Sequence, residues 1–445
     1  MNVRWVLLAV AGLVISGLSA CGGGSSTTTP PPNTPPPTGT PFQTAFTDSS
    51  GTVDTVSQPE IKTTNSFFKA LGTNSRTCAT CHDVADGWSV TPSHLQQRFQ
   101  ASQGDDPIFL PLDGANCPSA DVSTLAAKTS AYSLLLNSGL IRMSLPVPAG
   151  AEFSIISITD PYQCPETTAA QPALYRRPLP ATNLKFLNGI MWDGREPDLE
   201  TQAKVAAATH MQTSTAPTDA QLQEIVSLES ALFTAQSQDT LAGDLTAQGA
   251  NGGPEFLSTL PFSPGMNSGS GFDANVFTLY TNWASAAGAN AAAQQSVARG
   301  EVLFNTFPMV ISGVGGFNDV QGQVQIIGTC STCHNTPNVG GDSVFETMNI
   351  GTGSPQAALP SYLIQCNDNS TVVTTDPGRA MITGRCADIG KFKIPGMRGL
   401  AARAPYFHSG TAPTLLDVVN FYNTRFNMLL NDSQKADLVA FMSTL

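Results

Sequence analysis

Two pentapeptides constrain this chain more than anything else in it: Cys78-Ala79-Thr80-Cys81-His82 and Cys330-Ser331-Thr332-Cys333-His334. In each, two thiols three residues apart stand directly before an imidazole. That spacing lets the thiols add across the two vinyl groups of a haem as thioethers, while the next residue offers its ring nitrogen to the iron. One chance CxxCH arises in roughly 0.2% of chains with this Cys and His content, so a pair is not accidental. A zinc knuckle also uses CxxC, but it needs two further ligands per site, and five histidines leave few to lend. The motifs predict two covalently bound c-type haems. Cys78, Cys81, Cys330 and Cys333 are the attachment points, and His82 and His334 the iron ligands.

The N-terminus reads as an export signal. Arg4 precedes an apolar run, Val6 to Gly17, too short for a comfortable membrane span. The run closes on Leu18-Ser19-Ala20-Cys21, which resembles the bacterial lipobox, whose Cys becomes the lipidated first residue. An ordinary signal peptide cut near Ala20 is the competing reading. Gly22 to Pro41 is Gly/Ser/Thr-rich and then Pro-rich, which suits a tether and cannot build a core. Gly22, rather than Asp, after the Cys suits outer-membrane sorting. The expected layout is a signal peptide over 1–20 and a disordered lipid-anchor linker over 21–55. The protein would face the periplasm and touch the membrane through its lipid alone.

Export changes how the nine cysteines are read. With Cys21 and the motif thiols set aside, Cys117, Cys164, Cys366 and Cys386 remain, an even number in an oxidising compartment. Neighbour pairing, Cys117–Cys164 and Cys366–Cys386, is favoured among three connectivities because it keeps each bridge within one region. The net charge of −12 argues against nucleic acid or anionic lipid as partner and favours, weakly, a basic protein.

Apolar periodicity predicts short helices before each motif, over Ser66 to Leu71 and Ala287 to Phe307. Another follows Thr218-Asp219, with Leu222, Ile225, Val226, Leu232 and Phe233 at helical spacing. Leu415 to Tyr422 and the stretch from Ser433 onward are also helical. Phe153 to Ile158 is the best isolated strand, and Gly249 to Gly271 and Gly313 to Gly328 read as loops. The expected fold is mostly α: two cytochrome c-like haem domains, over 56–286 and 287–445, with long loops and an insertion in the first.

Two further segments carry a family resemblance. Met191-Trp192-Asp193-Gly194-Arg195, continuing to Leu199-Glu200-Thr201-Gln202-Ala203, resembles the FWDGR…LEEQA signature of bacterial di-haem cytochrome c peroxidases and the MauG group. Thr375-Asp376-Pro377-Gly378-Arg379, Gly390-Lys391-Phe392-Lys393-Ile394-Pro395 and Ala404-Pro405-Tyr406-Phe407-His408-Ser409-Gly410 resemble later motifs of the same family. The likeness covers about Asn65 to His82 and Leu174 to Leu445. Asp83 to Tyr175 is longer than in compact members and reads as the insertion. The resemblance implies that the first haem binds peroxide and the second admits electrons. It places Trp192 between them and makes Gln202 the distal-pocket amide that hydrogen-bonds bound oxygen species.

The departures carry equal weight. Ten residues beyond the Gln, family peroxidases have a Glu that moves protons; here it is Gln212, and a neutral amide cannot do acid–base work. His210, two residues earlier, is a candidate replacement, or a sixth ligand that would close the site. His94 is another possible distal ligand, or a solvent-facing first-turn residue behind Thr91-Pro92. The family's calcium site uses an Asn where this chain has Arg176-Arg177, so calcium is not expected there. Fourteen residues after His408, where peroxidases place Met and MauG-like members Tyr, stands Tyr422; Met428 is the alternative second ligand of the His334 haem.

The resemblance implies a peroxidase that reduces hydrogen peroxide at the His82 haem, fed through the His334 haem by a small c-type cytochrome or cupredoxin. Gln202, His210 and Trp192 would be its catalytic residues. A MauG-like oxidase of an organic or protein substrate, or a non-enzymatic membrane-tethered electron carrier, are the alternatives.

Overall fold

The computed structural model describes residues 42–262, 273–341 and 347–445. The expected signal segment and Cys21 lie outside them. No helix among the described residues is long and apolar enough to cross a membrane.

The described α-helices are α1 (Pro92–Ser102), α2 (Leu125–Ala131), α3 (Ser133–Ser138), α4 (Leu199–His210), α5 (Asp219–Ala231), α6 (Gly253–Thr259), α7 (Ala291–Thr306), α8 (Cys330–Cys333), α9 (Ala380–Thr383), α10 (Leu415–Arg425) and α11 (Asp432–Ser443). Local chemistry sets several of their starts. Thr91 caps α1 by accepting from the His94 amide, with Pro92 at the first helical position. Reciprocal capping boxes open α5, α10 and α11 through Thr218–Gln221, Thr414–Asp417 and Asn431–Gln434. Before the first haem motif the chain makes only a 3-10 turn, Ser66–Phe68. The stretch from Gly249, expected to be loop, contains α6.

The chain holds more sheet than its apolar periodicity predicts, so "mostly α" describes it only in part. Strands β1 (Phe46–Thr47), β2 (Gly51–Ser57), β6 (Leu232–Asp239) and β7 (Gly243–Asp244) form an antiparallel sheet in the order β1-β2-β6-β7. This sheet corrects two expectations. The linker cannot be disordered to residue 55, because β2 pairs with β6 along its length, Thr55 opposite Thr234. Leu232 and Phe233 open β6 rather than close the preceding helix, which stops at Ala231. Nor is the strand at Phe153 isolated: β4 (Phe153–Thr159) pairs with β11 (Ser361–Cys366), which also pairs with β12 (Thr371–Thr374). Two-stranded ribbons join β3 (Ile141–Ser144) to β5 (Ala173–Arg176), β8 (Met309–Ser312) to β9 (Gln325–Gly328), and β10 (Thr347–Met348) to β13 (Phe392–Lys393).

The largest core gathers side chains of α7, α10 and α11 with residues between Ala242 and Ala286. A boundary between 286 and 287 would cut through it. Trp283 is fully buried, and Tyr280 packs against Phe441 and donates its hydroxyl to the Thr444 carbonyl at 2.8 Å. α7 and α11 touch at Gly300, where a Cβ would collide with the Asp437 carbonyl oxygen, so only glycine allows this approach.

The inserted segment builds its own core from Val90, Leu95, Phe99, Ile108, Phe109, Tyr132 and Leu135. Disulfides join Cys117 to Cys164 and Cys366 to Cys386, the neighbour pairings expected. The WDGR and TDPGR segments, distant in sequence, meet through Arg379, which donates to the Asp193 and Gly194 carbonyls at 2.8 Å, and through Arg176. Arg176 donates to Asp193 at 2.6 Å and to both oxygens of Asp376 at 2.6 and 2.9 Å, all three residues buried.

Candidate functional site

The two CxxCH motifs fold alike. Thr77 and Thr329 each begin a tight turn whose threonine three residues on, Thr80 or Thr332, bonds back to the cap backbone. The His82 and His334 amides then donate to the carbonyls of Cys78 and Cys330, both at 3.1 Å. Each imidazole spends Nδ1 on a carbonyl six residues downstream: His82 on Trp88 at 3.1 Å, His334 on Gly340 at 2.5 Å. That fixes ring orientation and leaves Nε2 as the donor for a metal. Burial depresses His82 to about 4 and His334 as well, so both rings are neutral, the ligating form. Cys78, Cys81, Cys330 and Cys333 are free of disulfides.

Each motif opens onto a cavity. The first, about 750 Å³, is lined by Cys78, Cys81, His82 and one face of α4: Leu199, Gln202, Ala203, Ala206 and His210. The second, about 210 Å³, is lined by Cys330, Cys333, His334 and Tyr422. Trp192 lines both. Its indole Nε1 donates to the Arg177 carbonyl at 2.8 Å, and its own carbonyl accepts from the Lys393 amide at 2.8 Å.

The fold brings Gln202 and His210 to the first cavity together and leaves Gln212 outside it, exposed. His94 lies outside both cavities, in the first turn of α1, half-buried with its Nδ1 2.7 Å from Asp86. His210 Nδ1 bonds Asp113 at 2.7 Å, a partner from the insertion that sequence gave no means of assigning. Glu229, on the cavity-facing side of α5, was also missed. It is buried, one of its oxygens has no hydrogen-bond partner, and burial raises it to about 8.

The second cavity contains both rival ligands, Tyr422 and Met428, and Met442 of α11 as well. Burial pushes the Tyr422 phenol up. His408 served in the sequence only as a counting mark. It stacks on Phe392 at 3.8 Å and meets the Trp192 indole edge-on at 6.1 Å.

The walls test whether haem fits. Arg177, Lys393 and Arg398 are buried and Arg403 half-buried; all four line one or both cavities. Their N–H donors go to carbonyls, such as Val90 for Arg177, Gly189 for Lys393, Leu445 for Arg398 and Gly399 for Arg403. Among the described residues no side-chain carboxylate forms an ion pair with Arg177, Lys393 or Arg403, whereas Arg398 meets the main-chain oxygen of Leu445, the last residue of the sequence. Burial lowers the three arginines to about 10, for Arg177 against the opposing charge of Asp86, and Lys393 to about 8. Leaving buried cations uncompensated is costly, about 3–5 kcal/mol where one partner of a pair is missing. A haem carries two propionates, which would supply counter-charge to such walls. The free thiols, the oriented imidazoles and these cations all fit haem.

No family model matches the chain. It is 34% identical over 133 residues to the cytochrome-c peroxidase IdrP2 of Denitromonas iodatirespirans, 26% of this chain and 36% of that protein. Over 117 residues it is 32% identical to the cytochrome c551 peroxidase of Pseudomonas aeruginosa, covering 26% and 30%. Over these segments the chain is similar to bacterial cytochrome c peroxidases. It spans about a third of the length of the curated peroxidases it matches. A MauG-like protein associated with microbial copper homeostasis aligns over 63% of this chain and 76% of that one, at 15% identity and a TM-score of 0.34, too low to argue from.

Proposed function

We propose that this chain is an exported di-haem c-type peroxidase built around two cytochrome c-like haem sites. The observation that carries it is Trp192, whose side chain lines both cavities, each with its own CxxCH motif. The reaction is H2O2 + 2 e− + 2 H+ → 2 H2O, with electrons delivered by a small redox protein. The haems, when bound, supply the redox-active irons. Cys78, Cys81 and His82 hold the first, and Cys330, Cys333 and His334 the second. Gln202 orients the peroxide through its amide, and His210 Nε2 takes a peroxide proton and returns it to the leaving water. Trp192 separates the sites and carries the electron route between them.

The test is direct. Intact mass after acid-acetone extraction should exceed the apoprotein by two haem units, and the purified protein should oxidise a reduced c-type cytochrome when peroxide is added. One haem, or two haems without turnover, would reject the proposal.

A MauG-like oxidase is the second reading, favoured by Tyr422 in the second cavity, where a hard oxygen donor suits ferric iron. Its sign would be peroxide consumption driven by an organic or protein substrate instead of a cytochrome. Anchorage through Cys21 on the periplasmic side belongs to the same proposal. Cys21→Ser should release the protein from the membrane fraction, and retention there would reject the anchor.

A further inference from the structure

Two arginines fasten the inserted segment to the first haem motif: Arg98 of the insertion donates to the Thr80 carbonyl at 3.0 Å, and Arg76 reaches into the insertion from beside the motif. Arg76, two residues before Cys78 and 1% exposed, donates from Nε to the Pro107 carbonyl at 2.7 Å and from one terminal nitrogen to the Ile108 carbonyl at 2.9 Å. Its other terminal nitrogen reaches Asp113 Oδ2 at 2.7 Å. The same Oδ2 lies 2.7 Å from His210 Nδ1. Asn74 adds a hydrogen bond to the His210 carbonyl at 2.8 Å, closing the C-terminal turn of α4. Asp113 is 4% exposed. Burial alone would raise its carboxyl, but His210 and Arg76 outweigh that and hold it below the usual range. It is therefore an ionised acceptor.

A carboxylate on Nδ1 does two things to an imidazole. It fixes the tautomer with the proton on Nδ1, so that Nε2 carries the lone pair, and it favours the imidazolium formed when Nε2 takes a proton. In His210, Nε2 is the nitrogen left for the first cavity, which the side chain lines.

We propose that Asp113, held by Arg76, is a positioning residue that aims and activates His210, and that the insertion exists in part to supply it. The inference rests on the acid–base role given to His210 above. In the step concerned, a peroxide O–H bond breaks and an Nε2–H bond forms. The charge gained by the ring is balanced by the Asp113 carboxylate, which stays ionised. The same proton passes back to the departing oxygen as the O–O bond breaks, taking up the two electrons of the overall reaction, and that oxygen leaves as water. The arrangement replaces a carboxylic acid at position 212 with an imidazole two residues earlier, at the cost of needing a second residue to orient it.

Cyanide is the probe, because hydrogen cyanide must lose a proton to a nearby base as it binds ferric haem. Association rates would be measured against pH on the haem-loaded full chain, for wild type, Asp113→Asn, Asp113→Glu, His210→Ala and the double variant Asp113→Asn/His210→Ala. Asp113→Asn should slow association at least about tenfold and remove the pH dependence, approaching His210→Ala. The double variant should be no slower than His210→Ala, and Asp113→Glu should recover part of the rate. Wild-type rates and pH profile in Asp113→Asn, with His210→Ala slowed, would overturn the positioning role alone. So would haem loss in both Asp113 variants with haem retained in His210→Ala, since Asp113 would then be an anchor of the fold. Unchanged rates in His210→Ala would overturn the acid–base role beneath it. Faster binding in His210→Ala would mark His210 as an iron ligand, and overturn both.

Discussion

The indole of Trp192 is held by the carbonyl of Arg177, Nε1 to oxygen at 2.8 Å. The same Arg177 spends its guanidinium on the carbonyls of Ser138, Val90 and Arg403. One residue thus fixes the ring between the cavities and ties the insertion, which contains Val90 and Ser138, to the C-terminal part of the chain. Trp192→Phe keeps an aromatic body and loses that hydrogen bond, worth about 1 kcal/mol. Haem content should be unchanged, while oxidation of the His334 haem after peroxide addition, followed by stopped flow, should slow. Wild-type kinetics would place the electron route elsewhere.

Arg176, with Arg379, pins the two family segments together. Arg176→Met removes the guanidinium that Asp376 shares with Asp193 in the interior, while Asp193 keeps Arg195 at 2.9 Å. The expected loss is about 3–5 kcal/mol, read as a fall in the urea midpoint. The pH dependence follows from Asp193, which burial would raise but Arg176 and Arg195 hold below its ordinary value. A depressed folded-state carboxyl contributes stability above its unfolded pKa and loses it as pH falls through the folded one. Wild type should therefore weaken below about pH 4, and Asp193→Asn should flatten that acid limb.

Glu229 has the opposite sign. Burial alone raises it to about 8. Its folded form keeps a proton that the unfolded chain has released, so its contribution falls as pH rises from the ordinary carboxyl range toward 8, by at most about 1.4 kcal/mol per pH unit. Glu229→Gln should raise the melting temperature at pH 8 relative to wild type and leave it nearly unchanged at pH 4. Equal effects at both pH values would show that the carboxyl is ionised or paired in the folded protein.

At the second cavity the rival side chains give distinct spectra. A Tyr422 ligand makes Tyr422→Met raise the potential of that iron, while Met428→Leu changes little. If Met428→Leu instead abolishes a far-red sulfur-to-iron band, and Tyr422→Phe leaves the spectrum intact, Met428 is the ligand.

The disulfide Cys117–Cys164 closes a loop beginning four residues after Asp113. Replacing both cysteines with serine should cost about 2–5 kcal/mol. It should also loosen Asp113 enough to slow cyanide binding, whereas the same change at Cys366 and Cys386 should affect stability alone.

What was legible in the sequence is what local chemistry writes there. The CxxCH turns, the capped helices and the neighbouring disulfides each depend on residues a few positions apart or on simple parity. The Trp192 segment was found because its motif is short and contiguous. The sheet pairing β2 with β6 was not, since Thr52-Val53-Asp54-Thr55 alternates weakly and its partner lies some 180 residues away. The bond between Asp113 and His210 spans 97 residues, and nothing at either end announces the other. The four cations of the cavity walls were equally silent, because a lone Arg or Lys looks the same in sequence whether it faces water or a propionate. Their role appears only when burial and missing carboxylates are seen together.

Those cations set an order of assembly. A chain that reaches its compartment without haem must either bury positive charge with nothing opposite it or keep the cavity walls open to water, and the second is cheaper. The newly delivered polypeptide should therefore stay loose, accessible to proteases, until the thioether bonds are made. Haem attachment would then be the quality-control step, because the propionates would supply the charge that lets Arg177, Lys393 and Arg403 be buried.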